Sequence, residues 1–84
     1  MVYVYVLRSV SDSNLYIGST TDLKRRLREH QTGKVYSTTL RKPFELVYYE
    51  AYKVESDARK REHALKLRGN ARRFLMERIS RSLE

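Results

Sequence analysis

Residues 2–18 read VYVYVLRSVSDSNLYIG, and the fold turns on this stretch. Val2 to Val10 is rich in Val and Tyr, which favour a pleated backbone, and Leu15 to Ile17 resumes the apolar character. Between them the polar Ser11-Asp12-Ser13-Asn14 supplies turn formers, so the stretch predicts a β-hairpin. Successive side chains of a strand point to opposite faces. Val2, Val4 and Val6 therefore share one face of the first strand, and Tyr3, Tyr5 and Leu7 the other. A strand apolar on both faces belongs in the middle of its sheet. With an even number of loop residues, Tyr5 and Tyr16 fall on the same face, because cross-strand partners then have opposite parity.

Working outward, Thr20-Thr21-Asp22 offers a helix N-cap, Leu23 and Leu27 an apolar pair four residues apart, and Gly33 a C-terminal stop. This predicts a helix over about 22–32. The polar segment Lys34 to Lys42 leads to Pro43, after which Phe44 to Tyr52 reads as a third strand. Ser56-Asp57 is the expected cap of a second helix running to Leu67, ended by Gly69; Asn70 is the expected cap of a third, from Ala71 to about Ser82. The order β, β, α, β, α, α predicts an α+β fold, one three-stranded antiparallel sheet covered by helices, with residues 1–84 forming a single domain.

The 84 residues carry 18 Lys+Arg against 10 Asp+Glu, a net charge of +8. Such a chain attracts polyanions, and nucleic acid is the expected partner. Twelve of the basic residues are Arg, whose guanidinium grips phosphate oxygens bidentately. The absence of Cys removes disulfides and thiolate metal sites. The longest apolar run, Met1 to Leu7, is too short for a membrane span, and its lack of leading basic residues argues against a secretory signal. The expectation is a soluble, cytoplasmic chain.

Helical periodicity separates the informative charges from the rest. With Leu23 at 0° and about 100° per residue, Leu27 falls at about 40°, Arg26 at about 300° and His30 at about 340°. Arg26 and His30 sit on or beside the apolar stripe, whereas Lys24, Arg25, Arg28 and Glu29 face solvent. In the second helix Glu62 lies beside the stripe of Ala58 and Leu65, Arg61 flanks it, and His63 faces away. A carboxylate, an arginine and an imidazole aimed at a sheet are costly unless paired, hydrogen-bonded or bound to a metal. A buried salt bridge between Arg26 and Glu62, with His30 as a satisfied neighbour, is one explanation. An active site is the other: phosphodiester cleavage needs a group to deprotonate water, a cation for the transition-state charge and often a carboxylate-held Mg²⁺.

These residues are where the sequence resembles the GIY-YIG nuclease superfamily, in particular its small stand-alone members and the N-terminal nuclease domain of excision-repair enzymes. The likeness spans about residues 2–75 and rests on Tyr3-Val4-Tyr5, Tyr16-Ile17-Gly18, Leu23, Arg26, Leu27, His30, Gly33-Lys34, Pro43, Leu46-Val47-Tyr48-Tyr49-Glu50, Arg61-Glu62 and Lys66. Tyr3 stands where the family has Gly, and Val4 where it often has Ile. The resemblance implies a DNA endonuclease, a repair role, and an active site on one sheet face. By carry-over Tyr5 or Tyr16 is the general base or water-positioning group, Arg26 stabilises charge on the scissile phosphate, and His30 assists by hydrogen bonding or proton transfer. Glu62 holds one Mg²⁺ or Mn²⁺, with waters and phosphate oxygens completing the shell. A tyrosine base, with an ordinary pKa of about 10, needs a cationic neighbour to lower it, and Arg26 and the metal are the candidates.

Lys24, Arg25, Arg28, Lys34, Arg41 and Lys42 are assigned only to backbone attraction. A chain this small has little surface for base readout, so weak sequence preference, on branched, damaged or single-stranded DNA, or targeting by a partner protein is expected. The alternatives are a non-catalytic nucleic-acid-binding module of the same fold and a protein-interaction domain. Titrating labelled DNA at rising salt separates them: the nuclease and the binding module lose affinity steeply, and an interaction domain shows no salt-dependent DNA binding.

Overall fold

Strand β1 (Val2–Ser9) lies between β2 (Leu15–Thr20) and β3 (Phe44–Tyr52) and is antiparallel to both. The computed structural model describes residues 1–33 and 43–84; Lys34, Arg41 and Lys42 lie outside the described residues. Among the latter, three helices follow or interrupt the strands in the expected order: α1 (Leu23–Gln31), α2 (Glu55–Lys66) and α3 (Asn70–Arg78). The central place of β1 follows from its two apolar faces, and Val4, Tyr5, Val6 and Leu7 are all buried.

Pairing of Tyr5 with Gly18 and of Leu7 with Tyr16 puts all four on one sheet face, as the hairpin parity requires. That face packs Tyr5, Leu7 and Phe44 with Tyr16, Leu23, Leu27 and Leu46 under α1. The opposite face packs Val4, Val6 and Ile17 against Ala58 and Leu65 of α2, Leu75 of α3 and Ile79. In the hairpin loop Ser13 adopts the left-handed backbone and the Asp12 carboxylate accepts from the Asn14 amide, the role expected of these turn formers.

Helix α1 starts as the sequence indicates: the Asp22 carboxylate accepts from the Arg25 amide at 3.1 Å, and Gly33 takes a positive φ of 78° just past the C-cap. The Gln31 side chain clips the helix end to β3 by bonding both backbone groups of Phe44. The later helix ends differ from expectation. Val54 rather than Ser56-Asp57 caps α2, with no side-chain bond, so Glu55 and Asp57 act through charge in the first turn. Gly69 caps the start of α3 instead of closing α2, and Asn70 is already helical, its side chain accepting from Arg73. Helix α3 ends at Arg78, short of Ser82.

On the α2 side, the Glu50 carboxylate of β3 gathers three donors: the hydroxyls of Tyr48 and Tyr52, each at 2.5 Å, and Arg61 Nε at 2.6 Å. Burial pushes the Glu50 carboxyl up, but these donors outweigh it and hold it below its ordinary 4.5. Burial first, then the same contact, pushes the Tyr52 hydroxyl up to about 12. The cluster ties β3 to α2. Glu50→Ala leaves a part-buried guanidinium and two hydroxyls without their acceptor and is expected to lower stability by about 2–4 kcal/mol in chemical denaturation. Because the folded carboxyl is the stronger acid, this stabilisation is present above its unfolded pKa and is lost as pH falls through the folded one. The loss on Glu50→Ala therefore shrinks in acid.

Candidate active site

Gly18 makes the site possible. A Cβ placed there would lie 2.6 Å from the Tyr5 hydroxyl and 2.8 Å from its Cζ, so Tyr5 occupies the space a side chain would fill. Tyr5 is itself only 1% exposed and has nowhere to move. Its hydroxyl is 2.9 Å from Nε2 of His30, which α1 buries completely. The His30 ring packs edge-on against Tyr16 at 4.8 Å between centroids and against Phe44 at 5.9 Å. Burial first, then the Arg26 charge, lowers the His30 pKa to about 4, so the imidazole is neutral at pH 7 and either donates to or accepts from the phenol.

Burial also dominates at Tyr5 and raises its pKa; Arg26 pulls the other way and loses. Arg26 thus acts on this phenol in the expected direction, but burial outweighs it. Tyr16 differs in setting. It is half-buried, and its hydroxyl makes no hydrogen bond to another described residue.

Arg26 is about one-third exposed and pairs with Glu29 on its own helix at 3.1 Å, and the neighbouring Tyr5 is the chief influence that raises its pKa further. A groove of about 280 Å³ runs past it over the end of β2. Helix α1 contributes Arg25, Arg26 and Glu29; α2 contributes Glu55 and Arg59; and Ser19, Thr20 and Thr21 lie between. Three arginines against two glutamates leave it cationic.

Glu62 comes from the other side of the sheet. Ser19 has opposite parity to Gly18, so its hydroxyl turns towards α2 and donates to Glu62 Oε1 at 2.5 Å, while Lys66 Nζ meets Oε2 at 2.7 Å. Burial raises the Glu62 carboxyl, but the hydrogen bonds from Lys66 and Ser19 prevail and lower it. Its negative charge adds a small upward push to the Tyr5 pKa, less than that of burial. Among the described residues no three His, Asp or Glu side chains converge on a metal position. A single hard oxygen donor, ionised and partly exposed, nonetheless suits Mg²⁺, which retains several waters and is held by one or two carboxylates. The residues fit such an ion once Lys66 yields.

The structure therefore brings Tyr5, Tyr16, His30 and Arg26 together under α1, and Glu62 reaches the same edge strand from beneath. The one-face arrangement is corrected by strand parity, and the Arg26–Glu62 salt bridge is replaced by two pairs, Arg26 with Glu29 and Glu62 with Lys66. Lys24, Arg25 and Arg28 are exposed as expected. Ser19 was missed, although the parity that groups Tyr16 with Gly18 also turns Ser19 to α2.

The family described as the GIY-YIG catalytic domain matches residues 1–74. A UPF0213 protein of Haloquadratum walsbyi is 45% identical over 65 residues, covering 76% of this chain and 72% of that protein. A UPF0213 protein of Natronomonas pharaonis is 43% identical over 72 residues, 84% of each. The solution NMR structure of a UPF0213 protein from Bacillus halodurans superposes with a TM-score of 0.54 at 33% identity, over 90% of this chain and 82% of that one.

Two measurements check the geometry. By NMR, His30 is expected to titrate near pH 4, and stability to rise by about 2–3 kcal/mol between pH 4 and 6.5, because over that range the unfolded chain binds a proton that the folded one refuses. Gly18→Ala is expected to displace Tyr5, break its bond to His30 and cost about 1–3 kcal/mol. An unchanged melting temperature with His30 still titrating near 4 would show that Tyr5 tolerates the methyl group.

Proposed function

The chain belongs to the GIY-YIG family, and from that premise we propose that it is a metal-dependent endonuclease that hydrolyses DNA phosphodiester bonds with little sequence preference. The observation that carries the reading is the convergence, at the Gly18 edge, of a cationic groove holding Arg26, a half-buried tyrosine and an ionised carboxylate. The whole chain acts as one domain in this reading.

Arg26 carries a permanent charge towards the groove and meets the scissile phosphate there, stabilising the charge that builds on its oxygens. Tyr16 is the tyrosine presented to the attacking water, which it orients and deprotonates. Tyr5 and His30 are positioning residues: a buried phenol and a neutral imidazole, bonded to each other, fix the wall on which Tyr16 packs. Glu62, steadied by Ser19, would hold Mg²⁺ or Mn²⁺. When bound, that ion supplies charge neutralisation at the phosphate. Lys24, Arg25 and Arg28 draw in the backbone, on a branched, damaged or single-stranded substrate or one delivered by a partner protein. Repair and a cytoplasmic setting accord with this role, and among the described residues no helix is long and apolar enough to cross a membrane.

One observation favours the second reading, a non-catalytic nucleic-acid-binding module: both Glu62 oxygens are already engaged, by Ser19 and Lys66. Incubation with plasmid, branched and single-stranded DNA decides between them. The nuclease reading expects Mg²⁺- or Mn²⁺-dependent nicking that falls at least about 100-fold in Glu62→Ala and Arg26→Ala while DNA binding survives in Glu62→Ala. No cleavage of any of the three by the wild type, with metal affinity unchanged in Glu62→Ala, overturns it.

A further inference from the structure

Beside the cationic groove lies a second, larger one of about 510 Å³ that the proposed chemistry does not use. Its surface is mainly aliphatic and aromatic: Tyr3 and Tyr49 of the sheet, Leu46 of β3, and Leu23 and Leu27 of α1. Tyr49 pairs with Tyr5 across the strands, so its ring belongs to the same sheet face as Tyr5 and Tyr16, yet it is 52% exposed. Tyr3 holds it edge-on at 5.9 Å between centroids, a contact that fixes the ring's attitude while leaving much of it in water. A large apolar surface kept open in a fold with so little core is a cost unless something covers it.

The surroundings indicate what does. Thr21 lines both grooves, and the adjacent residues Lys24 and Arg25 line one each, so only the first turn of α1 separates an aromatic cleft from a phosphate-attracting one. Asp22 also borders the aromatic groove, but its carboxylate is engaged as the α1 cap. An aromatic surface beside a net cationic groove offers the two chemistries of a nucleotide, a π-face for the base and positive charge for the phosphate. Every base offers a π-face, and stacking on a tyrosine needs no sequence.

We propose that Tyr49, braced by Tyr3, is a stacking site for an unpaired nucleobase of the bound strand, whose neighbouring phosphate lies in the Arg26 groove. The inference rests on the nuclease reading for the phosphate placed at Arg26, but not for the stacking contact itself. A base held here anchors the strand relative to Arg26 and makes unpaired nucleic acid the preferred ligand over a closed duplex, whose bases are not available to stack.

The test is binding by fluorescence anisotropy, without divalent metal, to a labelled single-stranded oligonucleotide and to the matching duplex. Tyr49→Ala is expected to weaken single-strand binding about tenfold, the stacking contribution of one base, with the salt slope and duplex affinity unchanged. Tyr49→Phe is expected to keep wild-type affinity, and Tyr49→Trp to show indole emission quenched by the single strand. Lys24→Ala is expected to flatten the salt slope instead. Unchanged single-strand affinity in Tyr49→Ala, an equal loss on the duplex, or a self-association abolished by Tyr49→Ala each overturns the proposal, the last by making a second copy of the chain the occupant. Because no metal is present, this assay reads binding only; absence of cleavage in the separate incubation with Mg²⁺ or Mn²⁺ counts against the nuclease reading alone. Cleavage by a protein whose Tyr49→Ala variant binds normally counts against the stacking site alone.

Discussion

The missing side chain at Gly18 is the constraint on which the rest of the site depends. Tyr5 fills the space in front of it, at a distance no real Cβ would tolerate, and can do so only because Gly18 offers none. That placement brings the Tyr5 hydroxyl to His30, and His30 in turn supports Tyr16. The next residue along β2, Ser19, points the opposite way and steadies Glu62. Adjacent residues of one edge strand, Gly18 and Ser19, thereby serve the two opposite layers of the fold.

Which effect wins at each polar group divides the residues into two kinds. At Tyr5 and His30 burial wins: the phenol becomes a weaker acid and the imidazole a weaker base, so both stay neutral at pH 7 and act through shape and hydrogen bonding. At Glu62 and Glu50 pairing wins over burial, and both carboxylates stay charged. Glu50 spends its charge on three donors within the protein and is a structural tie. Glu62 has one hydroxyl and one half-exposed lysine, and in the proposed reading the lysine is the partner that a metal ion displaces. In the proposed reading, neutral buried groups hold the wall and charged groups at the rim meet the ligand.

The sheet was legible because its signals are local and strong. Two apolar faces on Val2–Ser9 require a central strand, and the polar loop fixes the parity that brings Tyr16 beside Tyr5. The helical wheel found His30 because a nine-residue helix with a clean stripe leaves few angles for it. The same wheel located Glu62 but could not say which sheet face α2 covers, since that is decided by the packing of Ala58 and Leu65 on Val4, Val6 and Ile17. Helix starts were misread for a related reason. Ser56, Asp57 and Asn70 are good caps in isolation, yet the turn after Tyr52 and the bend at Leu67 set where α2 and α3 begin, and backbone groups at Val54 and Gly69 take the cap positions.

The proposed assembly of a single site from both faces of β2 is open to direct observation. Trace Mn²⁺ added to ¹⁵N-labelled protein broadens amide resonances within reach of the bound ion. The account predicts that Gly18, Ser19 and Glu62 broaden first, followed by Tyr5 and Arg26 on the far face, and that Glu62→Ala abolishes the pattern. Broadening centred on other residues, or confined to the α2 side with Tyr5 and Arg26 untouched, would contradict it.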